Sequence, residues 1–143
     1  MARPDPALLD PSRYPFACEV PTRFADLDVN RHLNNVALAG MVEEGRVRFH
    51  QTSGFIGALR GLSAMVASMH VEFVGQGFYP QTMVAHAGAA RIGRSSYTLD
   101  LLLVQDGRAV AFAESVIVCV SDGVPTELPQ GFRDAVVDWM IRA

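Results

Sequence analysis

Residues 36–42, Val-Ala-Leu-Ala-Gly-Met-Val, carry no polar side chain and include three small residues, Ala37, Ala39 and Gly40. Asn34 or Asn35, just upstream, suits a helix N-cap, and Gly54 suits a helix end. The spacing predicts one helix running to Gly54. A helix whose first turns lack a polar face is normally buried. Gly40 and Gly45 each cost about 1 kcal/mol of helix propensity relative to alanine. Close packing against another element is a reason to keep them. Whatever else the chain builds has to wrap this helix.

The remaining segments supply the wrapping. Residues 16–24 read as a short strand interrupted by Pro21, and therefore as an edge. Residues 54–62 are a glycine-punctuated loop. Beyond it, residues 67–75, 83–92, 95–104 and 109–120 read as strands. In the third of these Tyr97, Leu99, Leu101 and Leu103 alternate with Thr98 and Asp100. Asp106-Gly107 is a tight hairpin turn, and Asp122-Gly123, Pro125 and Pro129 break the chain. Residues 131–143 read as an amphipathic helix with Phe132, Val136 and Met140 on one face. Short turns imply a mainly antiparallel sheet. The fold class is thus α+β: a curled antiparallel sheet around a central buried helix, plus a C-terminal helix. With 143 residues, half of them hydrophobic, the chain has the size and core of one domain. That domain is expected over 15–143, behind a proline-rich extended arm at 1–14. The arm has no signal-peptide pattern, and no run approaches the ~20 apolar residues of a membrane span.

Charge and composition narrow the chemistry. The formal charge is -3, which argues against nucleic acid as a partner. All twelve basic residues are arginine. Schiff-base and P-loop lysine chemistry are therefore excluded, and arginine is the only fixed cation for phosphate or carboxylate. Cys18 and Cys119 are far apart in apolar runs, with no C-x-x-C. A reduced pair suits the cytoplasm.

Residues 26–35, DLDVNRHLNN, hold the densest cluster of reactive side chains. Read as a calcium loop from Asp26, the turn glycine is replaced by Arg31 and the closing glutamate by Ala37. Calcium is rejected, and Asp26, Asp28 and His32 are too loosely spaced for a transition metal. Plain capping and turn formation is the other reading. An active site has its own logic: the first turn of a helix exposes unsatisfied N–H groups and partial positive charge, which can stabilise an oxyanion. A carboxylate upstream can activate water or attack a carbonyl.

The segment RFADLDVNRHLNNVALAGMVEEGRVRFH resembles the hotdog-fold acyl thioesterases of the 4-hydroxybenzoyl-CoA type. DLDVN-x-H-x-NN is also similar to plant acyl-carrier-protein thioesterases. The resemblance spans most of residues 16–142. It implies that Asp28 is the catalytic carboxylate, assisted by Asn30 and His32, and that the helix N-terminus at Leu33, Asn34 and Asn35 polarises the thioester carbonyl. Asp26 is then a structural turn carboxylate, and Glu43 with Arg46 a structural pair. Arg91, Arg94, Ser95 and Ser96 match a hairpin region that meets coenzyme A phosphates in the family; a solvated hairpin is the alternative. Two departures stand out: Arg31 replaces a frequent glycine, and Leu38 a frequent tyrosine. The resemblance implies an acyl-CoA or acyl-carrier-protein substrate, no metal or redox cofactor, and a homodimer or homotetramer with sites between subunits. Two rivals remain at this point: a hydratase or dehydratase using Asp28 and His32, and a non-catalytic acyl-CoA-binding module.

Overall fold

In a computed structural model, described over residues 4–143, six strands form one antiparallel sheet. They are β1 (Phe16–Val20), β2 (Ser63–Phe73), β3 (Met83–Ile92), β4 (Ser96–Gln105), β5 (Arg108–Ser121) and the short β6 (Val124–Pro125). The order is β1-β3-β4-β5-β2, with β6 paired to β5. The long helix α1 (Asn35–Ser53) lies in the concavity and packs on β1, β3 and β4. The short α2 (Phe55–Ala58) follows, and α3 (Gln130–Val136) closes the end of the core. This is the hotdog arrangement.

The main core lies between α1 and the inner face of the sheet. Leu38, Met41, Val42 and Phe49 of α1 meet Ala85, Ala87, Leu99, Leu101 and Leu103. The two-residue alternation of β4 sends Tyr97, Leu99, Leu101 and Leu103 inward. At Asp106-Gly107 both residues have positive φ, 51° and 73°, as a two-residue hairpin with the right twist requires. Asp122-Gly123 repeats this geometry and turns the chain into β6, a strand that a proline-bearing tail does not advertise.

Several expectations change. The helix α1 is buried on one side only: Val36 is 84% exposed and Val47 also lies open. Its apolar stretch therefore exceeds what this single chain covers. The predicted extended arm is, over the described residues, two 3-10 turns (Pro6–Leu9 and Pro11–Arg13), each capped by an aspartate and opened by a proline. Met1–Arg3 of that arm lie outside the described residues. Leu8, Leu9 and Tyr14 close over Leu102, Val104 and Phe112 on the outer face of the sheet, forming a second small core. The C-terminal helix stops at Val136; a 3-10 turn follows, and Met140 bridges to Ala89 in extended form. His50, in the last turn of α1, is buried. Burial and the Arg46 charge push its pKa down to about 4, and its Nε2 lies 2.7 Å from the Tyr97 hydroxyl. Cys18 and Cys119 are both free thiols.

Candidate active site

The segment between β1 and α1 carries the cluster. Pro21 follows the strand, and a 3-10 turn at Phe24–Asp26 leads into the cluster. Asp26 goes inward, 5% exposed, where it pairs with Arg23 at 2.7 Å and accepts the Arg23 N–H. Phe24, Leu27 and Asp28 face the other way, onto an open cleft of about 350 Å³ that Val29 and Arg31 also line. A second cleft of about 340 Å³ lies beside α1, lined by Arg23, Asp26, Ala37, Gly40 and Glu44 among others.

Residues 28–32 form a tight turn. The Asp28 N–H donates to the His32 carbonyl at 2.9 Å, and the Arg31 N–H donates to the Asp28 carbonyl at 3.0 Å. Asp28 Oδ1 accepts the N–H groups of Asn30 (2.8 Å) and His32 (3.2 Å). These two bonds fix the carboxylate while its other oxygen keeps no partner among the described residues. Closing this turn places Arg31 at φ 61°, the left-handed region where glycine is at ease.

The helix tip differs from expectation in one respect. Asp28 does not engage the N–H groups of residues 33–35. The Leu33 N–H donates to the Gly77 carbonyl and the Asn34 N–H to the Asp26 carbonyl, so neither is available to an oxyanion here. Asn34 is the N-cap: its Oδ1 accepts the Ala37 N–H at 2.7 Å, and its Nδ2 donates to the Asp26 carbonyl. Among the described residues, the Asn35 and Val36 N–H groups have no partner. The free donors lie further along the helix because the Asp26 carbonyl has taken the Asn34 N–H and a neighbouring loop, through Gly77, the Leu33 N–H.

That loop, residues 74–82, is the part of the site that sequence reasoning missed. Gln105, fully buried at the end of β4, accepts the Phe78 N–H and donates to the Phe78 and Gln81 carbonyls, all within 2.9 Å. The pinned Phe78 packs edge-on against the His32 ring, with centroids 5.3 Å apart, and carries Arg108 over its face. At Gly77 an added Cβ would lie 2.9 Å from Leu33 Cδ1, so a larger residue there would have to push the Leu33 side chain aside. A polar residue ending an apolar strand, ahead of Asp106-Gly107, was the one available hint.

The hairpin residues fall elsewhere. Arg91 points from the outer face of the sheet to Glu114, 3.3 Å away. Arg94 is exposed in the β3–β4 turn, and its carbonyl accepts from Leu128 and Arg133. The Ser95 carbonyl accepts the Cys119 N–H and the Ser96 carbonyl the Gly93 N–H. All four sit at or beyond the Ile92 end of β3, whereas the Asp28 turn follows β1 at the Met83 end, and a ten-residue strand spans about 30 Å. Within one chain they are not brought together with Asp28. Glu43 and Arg46 form the expected helix pair at 3.1 Å. Among the described residues no group of three or more His, Cys, Asp or Glu could hold a metal ion, and no helix is long and apolar enough to cross a membrane.

Residues 22–136 match the thioesterase-like superfamily. The chain belongs to that superfamily, and with it to the thioester hydrolases. Among solved structures, a thioesterase from Thermus thermophilus, complexed with coenzyme A and Zn, is 26% identical. The match covers 87% of this chain and 92% of that one, with a TM-score of 0.77. The PA5185 protein of Pseudomonas aeruginosa PAO1 is also 26% identical, covering 92% and 96%, with a TM-score of 0.79. A predicted thioesterase from Bacillus stearothermophilus, 24% identical over 90% and 98% of the two chains, shares the fold at a TM-score of 0.79. No curated protein sequence is significantly similar to this chain.

Proposed function

We propose that this thioester hydrolase acts on an acyl-CoA or acyl-carrier-protein thioester, with Asp28 as the catalytic carboxylate. The observation that carries the reading is the placement of Asp28. One oxygen is fixed by two backbone N–H groups, the other is free, and the residue lines an open cleft. As a general base, Asp28 takes a proton from water as the water oxygen attacks the thioester carbonyl carbon. The C–S bond then breaks, and the departing sulfur collects the proton as a free thiol. As a nucleophile, the carboxylate instead attacks the carbonyl carbon, expels the thiolate and forms an anhydride that water opens. In both routes the N–H groups of Asn35 and Val36 receive the oxyanion, a contribution of about 3 kcal/mol per donor of this kind. Asn30 and His32 hold the carboxylate through their backbone. The Asp28 carboxylate meets the backbone rather than the ring of His32, which favours hydrolysis over a hydratase acid–base pair.

The site needs a second copy. Asp28 and Val36 are exposed in the single chain, whereas oxyanion stabilisation is strong only where water is excluded. The inward-facing side of edge strand β2 presents Val66, Met69 and Phe73, each 40% or more exposed, because α1 packs mainly on β1, β3 and β4. A homodimer or homotetramer covers these surfaces together with the open flank of α1, and places each cleft at a subunit boundary. Only across such a boundary could Arg91, Arg94, Ser95 or Ser96 meet a carrier phosphate. Two free cysteines suit the cytoplasm.

The test is a panel of acyl-CoA and acyl-carrier-protein thioesters followed for both free thiol and enoyl hydration. Thiol release on at least one member supports the reading. Hydration of crotonyl-CoA without thiol release points to a hydratase, and tight binding with neither product points to a binding module.

A further inference from the structure

We propose that Arg31 is the anion-recognition residue of the Asp28 cleft, binding a negatively charged phosphate or carboxylate group on the thioester substrate. The inference rests on the reading of that cleft as the substrate site. It starts from an arginine with no internal employment. Among the described residues, Arg23, Arg46, Arg48 and Arg91 are ion-paired with Asp26, Glu43, Glu44 and Glu114. Arg13, Arg133 and Arg142 donate to backbone carbonyls, and Arg108 lies over Phe78. The Arg31, Arg60 and Arg94 side chains make none of these contacts, and of the three only Arg31 lines the Asp28 cleft. Among the described residues no ion pair joins Arg31 to the Asp28 carboxylate in the same turn.

Its position is costly and specific. At φ 61° a residue with a Cβ costs roughly 1–2 kcal/mol against glycine, a cost Arg60 bears as well at φ 58°, so nothing in the local backbone asks for arginine. The turn nevertheless places Arg31 on the cleft that Asp28 lines, among Phe24, Leu27 and Val29. A catalytic carboxylate repels an anionic substrate, and the chain carries a formal charge of -3 with no lysine anywhere. A cation at the cleft mouth offsets that repulsion. A guanidinium also offers a planar fork that grips phosphate or carboxylate through paired hydrogen bonds. Arg91 and Arg94, the other candidates, stand at the far end of β3.

Uncleavable thioethers separate binding from turnover. Calorimetry with S-butyl-coenzyme A, S-(4-carboxybutyl)pantetheine and the neutral S-butyl-pantetheine is run on wild type, Arg31→Asn and Arg31→Lys. Asparagine tolerates the left-handed backbone, so the turn survives. Arg31→Asn is expected to weaken at least one charged ligand by about tenfold or more, as loss of a charged hydrogen-bond pair does. The neutral ligand should be unmoved, and Arg31→Lys should recover part of the loss. Loss confined to the coenzyme A thioether identifies a carrier phosphate; loss confined to the carboxybutyl ligand identifies an acidic acyl group. Affinities within twofold of wild type for both charged ligands, an equal loss for the neutral one, or no binding of any ligand by wild type each overturn the assignment. Thiol release from butyryl-CoA, measured in parallel, reports separately on the hydrolase reading.

Discussion

Asp26 and Asp28 are two residues apart and chemically opposite. The 3-10 turn buries the first against Arg23 and lays the second along a cleft, so identity alone does not assign their roles. A third aspartate shows how burial alone shifts an acid. Asp100 lies on the outer face of the sheet beneath the N-terminal turns, 4% exposed, with Oδ1 lacking a protein partner. Burial, assisted by Glu114 and opposed by Arg91, pushes its pKa up to about 6. A raised acid pKa gives stability that is complete below the unfolded value near 3.8 and lost as pH rises through 6. Asp100→Asn should therefore raise the melting temperature at pH 7–8, with the gain shrinking to nothing by pH 4. A gain independent of pH contradicts this. His50, pushed down, works in the other direction and loses stability as pH falls from 6.5 towards 4, so single variants are needed to separate the two. At this scale the Asn34 cap and the density of DLDVNRHLNN were legible, because both depend on neighbours in sequence. That Leu33 and Asn34 spend their N–H groups on Gly77 and Asp26 was not, because the Gly77 loop comes from forty residues away in the chain.

The helix α1 shows what an element can and cannot announce. Its start at Asn34 and its end at Gly54, φ 73°, follow from cap chemistry, and the bounds of β3 from its flanking breakers. Its two glycines look alike in sequence and differ in space. A Cβ on Gly45 would lie 2.8 Å from Leu101 Cδ1 and 2.9 Å from Ala85 Cβ, whereas one on Gly40 meets nothing within 4 Å. Gly45→Ala should destabilise by about 1–3 kcal/mol through overpacking, since the Ala85 methyl is anchored to the sheet and cannot retreat. Gly40→Ala should be neutral or stabilising by up to about 1 kcal/mol in the isolated chain. Equal effects in chemical denaturation contradict the packing account. The arm and the C-terminal helix were misread for a common reason. Pro6 and Pro11 fit an extended chain as well as a 3-10 turn, and tertiary contacts with Ala89 decide where the last helix gives way.

At the scale of the whole molecule, α1 is apolar on more sides than its own sheet covers, and β2 is a long edge strand with apolar residues open to solvent. Exposed edges of this kind invite pairing. Met69→Lys on that inward side should shift the protein towards monomer in light scattering and lower turnover with it; an unchanged mass places the interface elsewhere. The sequence could reveal the surplus of apolar helix surface but not which strand stands unpaired, since that depends on the order β1-β3-β4-β5-β2. The central claim is that the Asp28 carboxylate does the chemistry proposed for it. Single-turnover thiol release by Asp28→Asn, on the best substrate of the panel and with folding checked by circular dichroism, measures it directly. A fall of at least about a hundredfold with the fold intact is the predicted result. A rate within a few-fold of wild type contradicts it.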